Sequence, residues 1–425
     1  MPKLLILLLL LPALAHCQTA PTLAQIGGTA QYPDSPFLDS LLRTNPALTQ
    51  VLSRPATYQY QIIYTRIDRD AQNVPHFTQH TYHVNPRQYF NPASLVKLPT
   101  ALLSLEKLHT LPVTRRTIMS TGANWRCQTP IPFAAPADSD RQATVGNYIK
   151  RMLLVSDNLA YNRLYEFLGQ QPLNARLQQL GYSGSRIVRR FAPCDTAANR
   201  HTNPIAFHTA TGDTLYKQPA QTNPRTPAPP LGPIYAGRAY QVGTRVIHRP
   251  YEFTTANNLP LPDIAALLQT VLFPESVPAA QRPHLTAADQ TFLLQYLHLT
   301  PHASHFSTYV PAGYFDAYKK YLYYGRRPDV QLQPGLRIFN IVGMSHGYLA
   351  DVAYFADSLH QSEFLLSAVL YVNQDGIIND GAYEYDSIGL PFLTQLGQLF
   401  YQYEARRPRQ HRPDLTQFFQ PDPQP

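Results

Sequence analysis

The sequence predicts an α+β fold: a mainly antiparallel sheet with strands from both chain ends, flanked by helices, plus a helical subdomain. Three observations carry this expectation. Apolar and polar residues alternate near the N-terminus, helical spacing dominates the middle, and strand-like spacing returns before one last helix.

In chain order, residues 36–53 (PFLDSLLRTNPALTQVLS) carry leucines near helical spacing and are predicted as one amphipathic helix. Residues 58–68 (YQYQIIYTRID) alternate as a strand, and 77–84 (FTQHTYHV) as its hairpin partner. A helix starts near Ser94 and runs through LVKLPTALLSLEKL, where Pro99 fits only in the first turn. Further helices are predicted over 144–155, 159–169, 261–272 and 286–297. Residues 336–342, 350–355 and 364–371 read as strands, and 390–403 as a closing amphipathic helix. Together, 36–404 are predicted as one domain. Within it, 205–258 are rich in Pro, Thr, Tyr and Gly, lack a helical pattern, and read as a loop or hairpin insertion. Residues 18–35 read as a linker and 405–425 as a flexible tail.

Composition narrows the function. The 425 residues are 44% hydrophobic and 11% aromatic, enough for a sizeable core and against a disordered chain. Forty prolines and 15% charged residues make the chain proline-heavy and charge-poor beside the usual ~5% and ~25%. The net charge of +8 is scattered with no dense basic run, so no nucleic-acid partner is expected.

The N-terminus bears on the compartment. Lys3 precedes an apolar stretch over 4–15, interrupted only by Pro12, which is too short for a bilayer span but suits a secretory signal over 1–17. Ala13-Leu14-Ala15 resembles a cleavage site, while Cys17 after Leu14-Ala15-His16 resembles a lipobox, so simple secretion and lipid anchoring at Cys17 both stand open. No later segment reaches 18 unbroken apolar residues, and no transmembrane span is expected. In an oxidising compartment Cys127 and Cys194 can pair, or they are two unrelated thiols. Their separation does not fit a zinc cluster; no metal or other cofactor is expected, and a monomer is.

The chemistry concentrates in two short motifs. Ser94-Leu95-Val96-Lys97 puts a hydroxyl and an amine three residues apart on one helix face. A lysine whose pKa is lowered by burial can take the hydroxyl proton and make an alkoxide nucleophile. About 60 residues downstream comes Ser156-Asp157-Asn158, in LLVSDNLAYNRLYEFLG. Together they resemble the penicillin-recognising serine hydrolases, and within them the class A β-lactamase branch, whose S-x-x-K and SDN motifs occur in this order. Ala160 and Asn162 extend the match.

The resemblance implies a β-lactamase-like fold and assigns roles by position. Ser94 would be the acylated nucleophile and Lys97 its general base. Ser156 would pass a proton to the leaving nitrogen. Asn158 would bind the substrate amide and help hold Lys97. Backbone N–H groups of Ser94 and of the third strand would form the oxyanion hole. Asp157 reads as a turn cap. An exported protein of the bacterial periplasm or cell envelope is implied, with a small-molecule or peptidoglycan-like amide or ester as its partner.

Two departures qualify that reading. The third motif, Lys-Thr/Ser-Gly, falls by register on Ile341-Val342-Gly343, because Gly347 precedes Asp351-Val352-Ala353. Gly343 is kept, but the lysine that attracts the substrate carboxylate is not; Ser345 and His346 are the polar groups nearby. The second departure is the loop Arg190-Phe191-Ala192-Pro193-Cys194-Asp195-Thr196-Ala197-Ala198-Asn199. Matching the Arg-aromatic pair puts Ala192 where the family has its deacylating glutamate, whereas a shift by three aligns Asp195 and Asn199. Asp195 is thus a candidate base or a loop cap. Glu166 belongs to the helix after SDN and is not that glutamate. Thr202-Asn203-Pro204 resembles the family's Thr-Thr-Pro at the loop's end. The expected function is a serine hydrolase with slow deacylation. The alternatives are a non-hydrolytic envelope binding protein and a peptidoglycan D,D-peptidase.

Overall fold

The computed structural model describes residues 32–134, 141–306 and 313–420. The predicted signal over 1–17 with Cys17, and residues 18–31 of the predicted linker, lie outside the described residues.

The leading leucines do not form one helix. Asn45 and Pro46 interrupt it, leaving α1 (Pro36–Arg43), a 3-10 turn (Pro46–Leu48), α2 (Thr49–Leu52) and α3 (Pro55–Tyr58). Pro46 has no N–H to continue a helix, and Asn45 accepts from Ala47 N at 3.1 Å to start a new turn. The predicted hairpin follows as β1 (Gln61–Arg69) and β2 (Pro75–Tyr82), paired antiparallel.

A 3-10 turn (Ala93–Val96) feeds α4 (Lys97–Leu108), in which Pro99 occupies the first turn as expected. After β3 (Ile118–Thr121) come α5 (Val145–Val155), α6 (Asn158–Leu168) and α7 (Gln170–Gln179). The insertion holds β4 (Ile205–His208), β5 (Thr214–Gln218), β6 (Tyr235–Ala236), β7 (Ala239–Val242), β8 (Arg245–Ile247) and β9 (Tyr251–Glu252). β4 pairs with β3, and β7 runs parallel to β13 (Ile377–Ile378), because the insertion's short strands complete ladders the frame leaves open. α8 (Leu261–Leu272) and α9 (Ala287–His298) follow; Thr286 and Asp289 form a capping box at the start of α9.

The chain then returns to strands: β10 (Leu336–Ser345), β11 (Tyr348–Asp357) and β12 (Ser362–Tyr371), before α10 (Leu390–Arg406). The main sheet is ordered β10-β11-β12-β1-β2 and is antiparallel throughout. Its two faces meet two apolar cores. Ile63 and Ile67 point toward the helical subdomain with α4, α5, α6 and α8, whereas Ile62 and Tyr64 point toward α1 and α10. Burial on both faces explains why β11 and β12 read as nearly continuous apolar runs. This is the expected α+β sandwich with a helical subdomain.

The tail differs from expectation. Arg407 and Arg409 both bind the buried Glu404, and Leu415 and Phe418 are inside the core. Phe418 packs against Phe273, Phe339 and Tyr354. Residues 407–420 are therefore a packed closing strap; two apolar side chains are worth more buried than exposed. Among the described residues no helix is long and apolar enough to cross a membrane.

Candidate active site

Two short strained segments set the site. Ala93 has φ 43°, a left-handed conformation uncommon outside glycine, held by its N–H donating to Asn91 Oδ1 at 2.9 Å. It delivers Ser94 to the start of the 3-10 turn, with Lys97 one turn on as the first residue of α4. Ser156 has φ 61° and is the C-cap of α5; its N–H closes on the carbonyls of Arg151 and Met152. Asp157 then caps α6, accepting from Ala160 N at 2.9 Å, while Arg151 grips its other oxygen at 2.6 Å. The expected cap role of Asp157 thus fits its contacts, and it fixes Ser156 and Asn158 between two helices.

Lys97 is where the motifs meet. Its Nζ lies within hydrogen-bond distance of four acceptors: Ser94 Oγ at 2.7 Å, Ser156 Oγ at 3.0 Å and O at 2.6 Å, and Asn158 Oδ1 at 2.7 Å. The side chain is buried, and Ser94 is half-buried at its end. Burial holds the amine well below the ordinary lysine range, the charge of Lys319 pushes the same way, and Asp157 opposes. A lysine so placed can be neutral and take a proton from Ser94.

Gly343 is required by packing. A β-carbon there would lie 2.5 Å from Pro92 O and 3.2 Å from Leu95 Cγ, so only glycine lets β10 approach the turn that carries Ser94. Ile341 is buried in the core, without charge. Ser345 Oγ is 2.6 Å from His346 Nδ1, which also meets Asn91 Nδ2 at 3.2 Å. Burial and Arg189 push the His346 pKa down to about 4, so the imidazole is neutral near pH 7 and supplies no positive charge. Ser345 and His346 hydrogen-bond each other beside Asn91.

Sequence reasoning missed Lys319. It precedes β10, is buried, and its Nζ has no hydrogen-bond partner among the described residues. Its carbonyl accepts from Asn340 Nδ2 at 2.6 Å, anchoring it beside Ile341. Burial lowers its pKa to about 7, with Asp351 opposing. No local pattern marks it, since Tyr-Lys-Lys-Tyr reads as an exposed basic pair.

Asp195 is not brought to the lysine. Its Oδ1 accepts from Ala198 N at 2.7 Å and its Oδ2 pairs with Arg126 at 2.7 Å, with more than half of the side chain exposed. These contacts, led by the Ala198 N–H, lower its pKa. The contacts of Asp195 are those of the loop-cap alternative. Asn199 closes the same turn, accepting from Arg190 N at 2.8 Å. The loop residue that does reach Lys97 is Phe191, whose ring centroid lies 5.2 Å from Nζ. Asn162 clamps Phe191 through both its N–H (2.7 Å) and its carbonyl (3.3 Å). Glu166 lies buried between Arg163 and Arg190, as a structural anion. Cys127 is exposed and Cys194 buried; they are adjacent and unbonded.

Residues 48–228, which include Ser94, Lys97, Ser156 and Asn158, match the model of a family described as the Beta-lactamase enzyme family. The chain is also similar in shape to solved structures, aligned over most of both chains at low identity. A β-lactamase from Sphaerobacter thermophilus is 13% identical, covering 87% of this chain and 98% of that one at a TM-score of 0.47. Class A β-lactamases from Bacteroides cellulosilyticus and Clostridium kluyveri are each 12% identical. They cover 85% and 84% of this chain and 96% and 99% of theirs, at TM-scores of 0.47 and 0.46. No curated protein matches the chain. The family-model match spans both of the motifs that carry the resemblance.

Proposed function

We propose that the protein is an exported serine hydrolase acylated on Ser94 by an amide or ester, a β-lactam or related substrate, and that it deacylates slowly. The observation that carries this reading is the convergence of Ser94 Oγ, Ser156 Oγ and Asn158 Oδ1 on the buried Lys97 Nζ. Neutral Lys97 takes the hydroxyl proton as Oγ attacks the substrate carbonyl. The new C–O bond pushes the carbonyl π pair onto oxygen, where the N–H of Ser94 and one from β10 beside Gly343 receive it. Collapse breaks the bond to the leaving group, which takes a proton from Ser156, replenished from Lys97. Asn158 binds the substrate amide. Lys319 supplies positive potential that Ile341 cannot.

Deacylation needs a base for water. Among the described residues the hydrogen-bond partners of Lys97 include no carboxylate, and the Phe191 ring lies against it instead. Removing a general base costs about 10²–10⁴ in rate, which favours a long-lived acyl-enzyme. The same observation favours a second reading, transfer of the acyl group to an amine as in a peptidoglycan peptidase.

The test is intact mass spectrometry after incubation with a fluorescent penicillin and activated esters, with Ser94→Ala in parallel. A stable adduct that needs Ser94 is expected; wild type with neither adduct nor turnover sinks the hydrolase reading for these substrates. Faster adduct loss on adding an amine acceptor favours transfer over hydrolysis.

A further inference from the structure

Gly122, Trp125, Arg126 and Cys127, after β3, grip the loop that carries Phe191. Gly122 N donates to Pro204 O at 2.8 Å, and Gly122 O accepts from Asn203 Nδ2 at 2.6 Å. Trp125 stacks on His201 with centroids 3.7 Å apart. Arg126 pairs with Asp195 at 2.7 Å. Cys127 Sγ lies 3.5 Å from Pro193 O, and Cys194 Sγ lies 3.9 Å from Cys127 O. A stack, an ion pair and two thiols thus fall in register along one seam.

We propose that Cys127 and Cys194 are a redox clasp, closed to a disulfide by an oxidant of the disulfide class, which locks residues 122–128 onto the 190–204 loop. Cys127 reacts first, because it is exposed and Cys194 is not. Burial, then hydrogen bonding to Cys127, pushes the Cys194 thiol up to about 12 and makes it the poorer nucleophile. The Cys127 thiolate attacks one sulfur of the oxidant, breaking its S–S bond, forming a mixed disulfide and releasing one thiol. Cys194, giving up its proton, attacks Cys127 Sγ and expels the second thiol. One S–S bond is exchanged for another, the two cysteines are oxidised, and the oxidant leaves as two thiols.

The consequence reaches the site through the loop backbone. Asn162 holds both polar backbone groups of Phe191, and the Phe191 ring lies over Lys97. Cross-linking three residues beyond Phe191 removes open forms of the loop from the ensemble. The clasp is read by thiol chemistry alone, so its failure is distinct from failure of the hydrolase reading.

The experiment treats the full chain carrying Cys17→Ser with oxidised glutathione or with reductant. It counts reactive thiols after denaturation, maps linked peptides by mass, and follows amide exchange over 190–204. The expected result is loss of both remaining thiols, a linked Cys127–Cys194 peptide, and slower exchange in that loop. Cys127→Ser is expected to exchange like the reduced chain in either condition. Persistence of both thiols in oxidant overturns the proposal, as does a linked pair with unchanged loop exchange. The comparison of oxidised with reduced chain needs no further substitution, so a poorly folding variant does not spoil it.

Discussion

The Phe191 ring lies 5.2 Å from Lys97 Nζ, and every hydrogen-bond partner of that amine is a hydroxyl, a backbone carbonyl or an amide oxygen. On the proposed reading, an ester forms on Ser94 faster than it is broken. Rapid mixing with an activated ester should show a burst of about one leaving group per chain, then slow turnover. Ser94→Ala should abolish the burst, and Lys97→Gln should slow it by about 10²–10⁴.

In the proposed mechanism, neutral Lys97 is the form that takes the proton. Its depressed pKa places the rising limb of acylation against pH well below the usual lysine range. Lys319 contributes by like-charge repulsion, so Lys319→Gln should move that limb to higher pH. A purely structural role for Lys319 would lower the amount of folded enzyme without moving the midpoint.

Asp195 faces Arg126 and the Ala198 N–H. Asp195→Asn should leave the rates of adduct formation and loss as in wild type, while loosening the 195–199 turn to proteolysis. A fall in deacylation alone would restore Asp195 as the base.

Gly343→Ala would place a methyl 2.5 Å from Pro92 O. Overpacking of this kind costs typically about 1–3 kcal/mol, and the nearest relief is movement of the turn holding Ser94. Urea denaturation should report the loss of stability and burst kinetics a disproportionate loss of acylation.

Asp263 is buried in the first turn of α8, where Ser185 donates to Oδ2 at 2.6 Å and Oδ1 has no partner among the described residues. Burial raises its pKa to about 7. The folded chain therefore binds this proton more tightly than the unfolded chain. Its stabilising effect is full below about pH 4, fades as pH rises toward 7, and is absent above. At about 1.4 kcal/mol per unit, Asp263→Asn should remove a slope worth roughly 4 kcal/mol between pH 4 and 8. Urea midpoints across that range check it.

What was legible in the sequence was whatever local spacing encodes. Ser94 and Lys97 are one turn apart, the hairpin alternates, and the three C-terminal strands are apolar enough to stand out. α7 was missed because its inward face is partly polar. Gln170 and Asn174 are buried, and Asn174 exchanges hydrogen bonds with Ile187, a partner that periodicity cannot reveal. The helix over 36–53 was overread because its leucines continue in phase across Asn45-Pro46. The tail looked flexible because Leu415 and Phe418 stand among prolines and charges, and their pocket is assembled from distant segments. Lys319 was invisible for the same reason: its burial is a property of the assembled fold.

The proline-rich insertion has one foot on β3 in the helical subdomain and another on β13, just past the main sheet. Mechanically the insertion is a tendon: drawing β3 away from the segment after β12 stretches two hydrogen-bonded ladders at once.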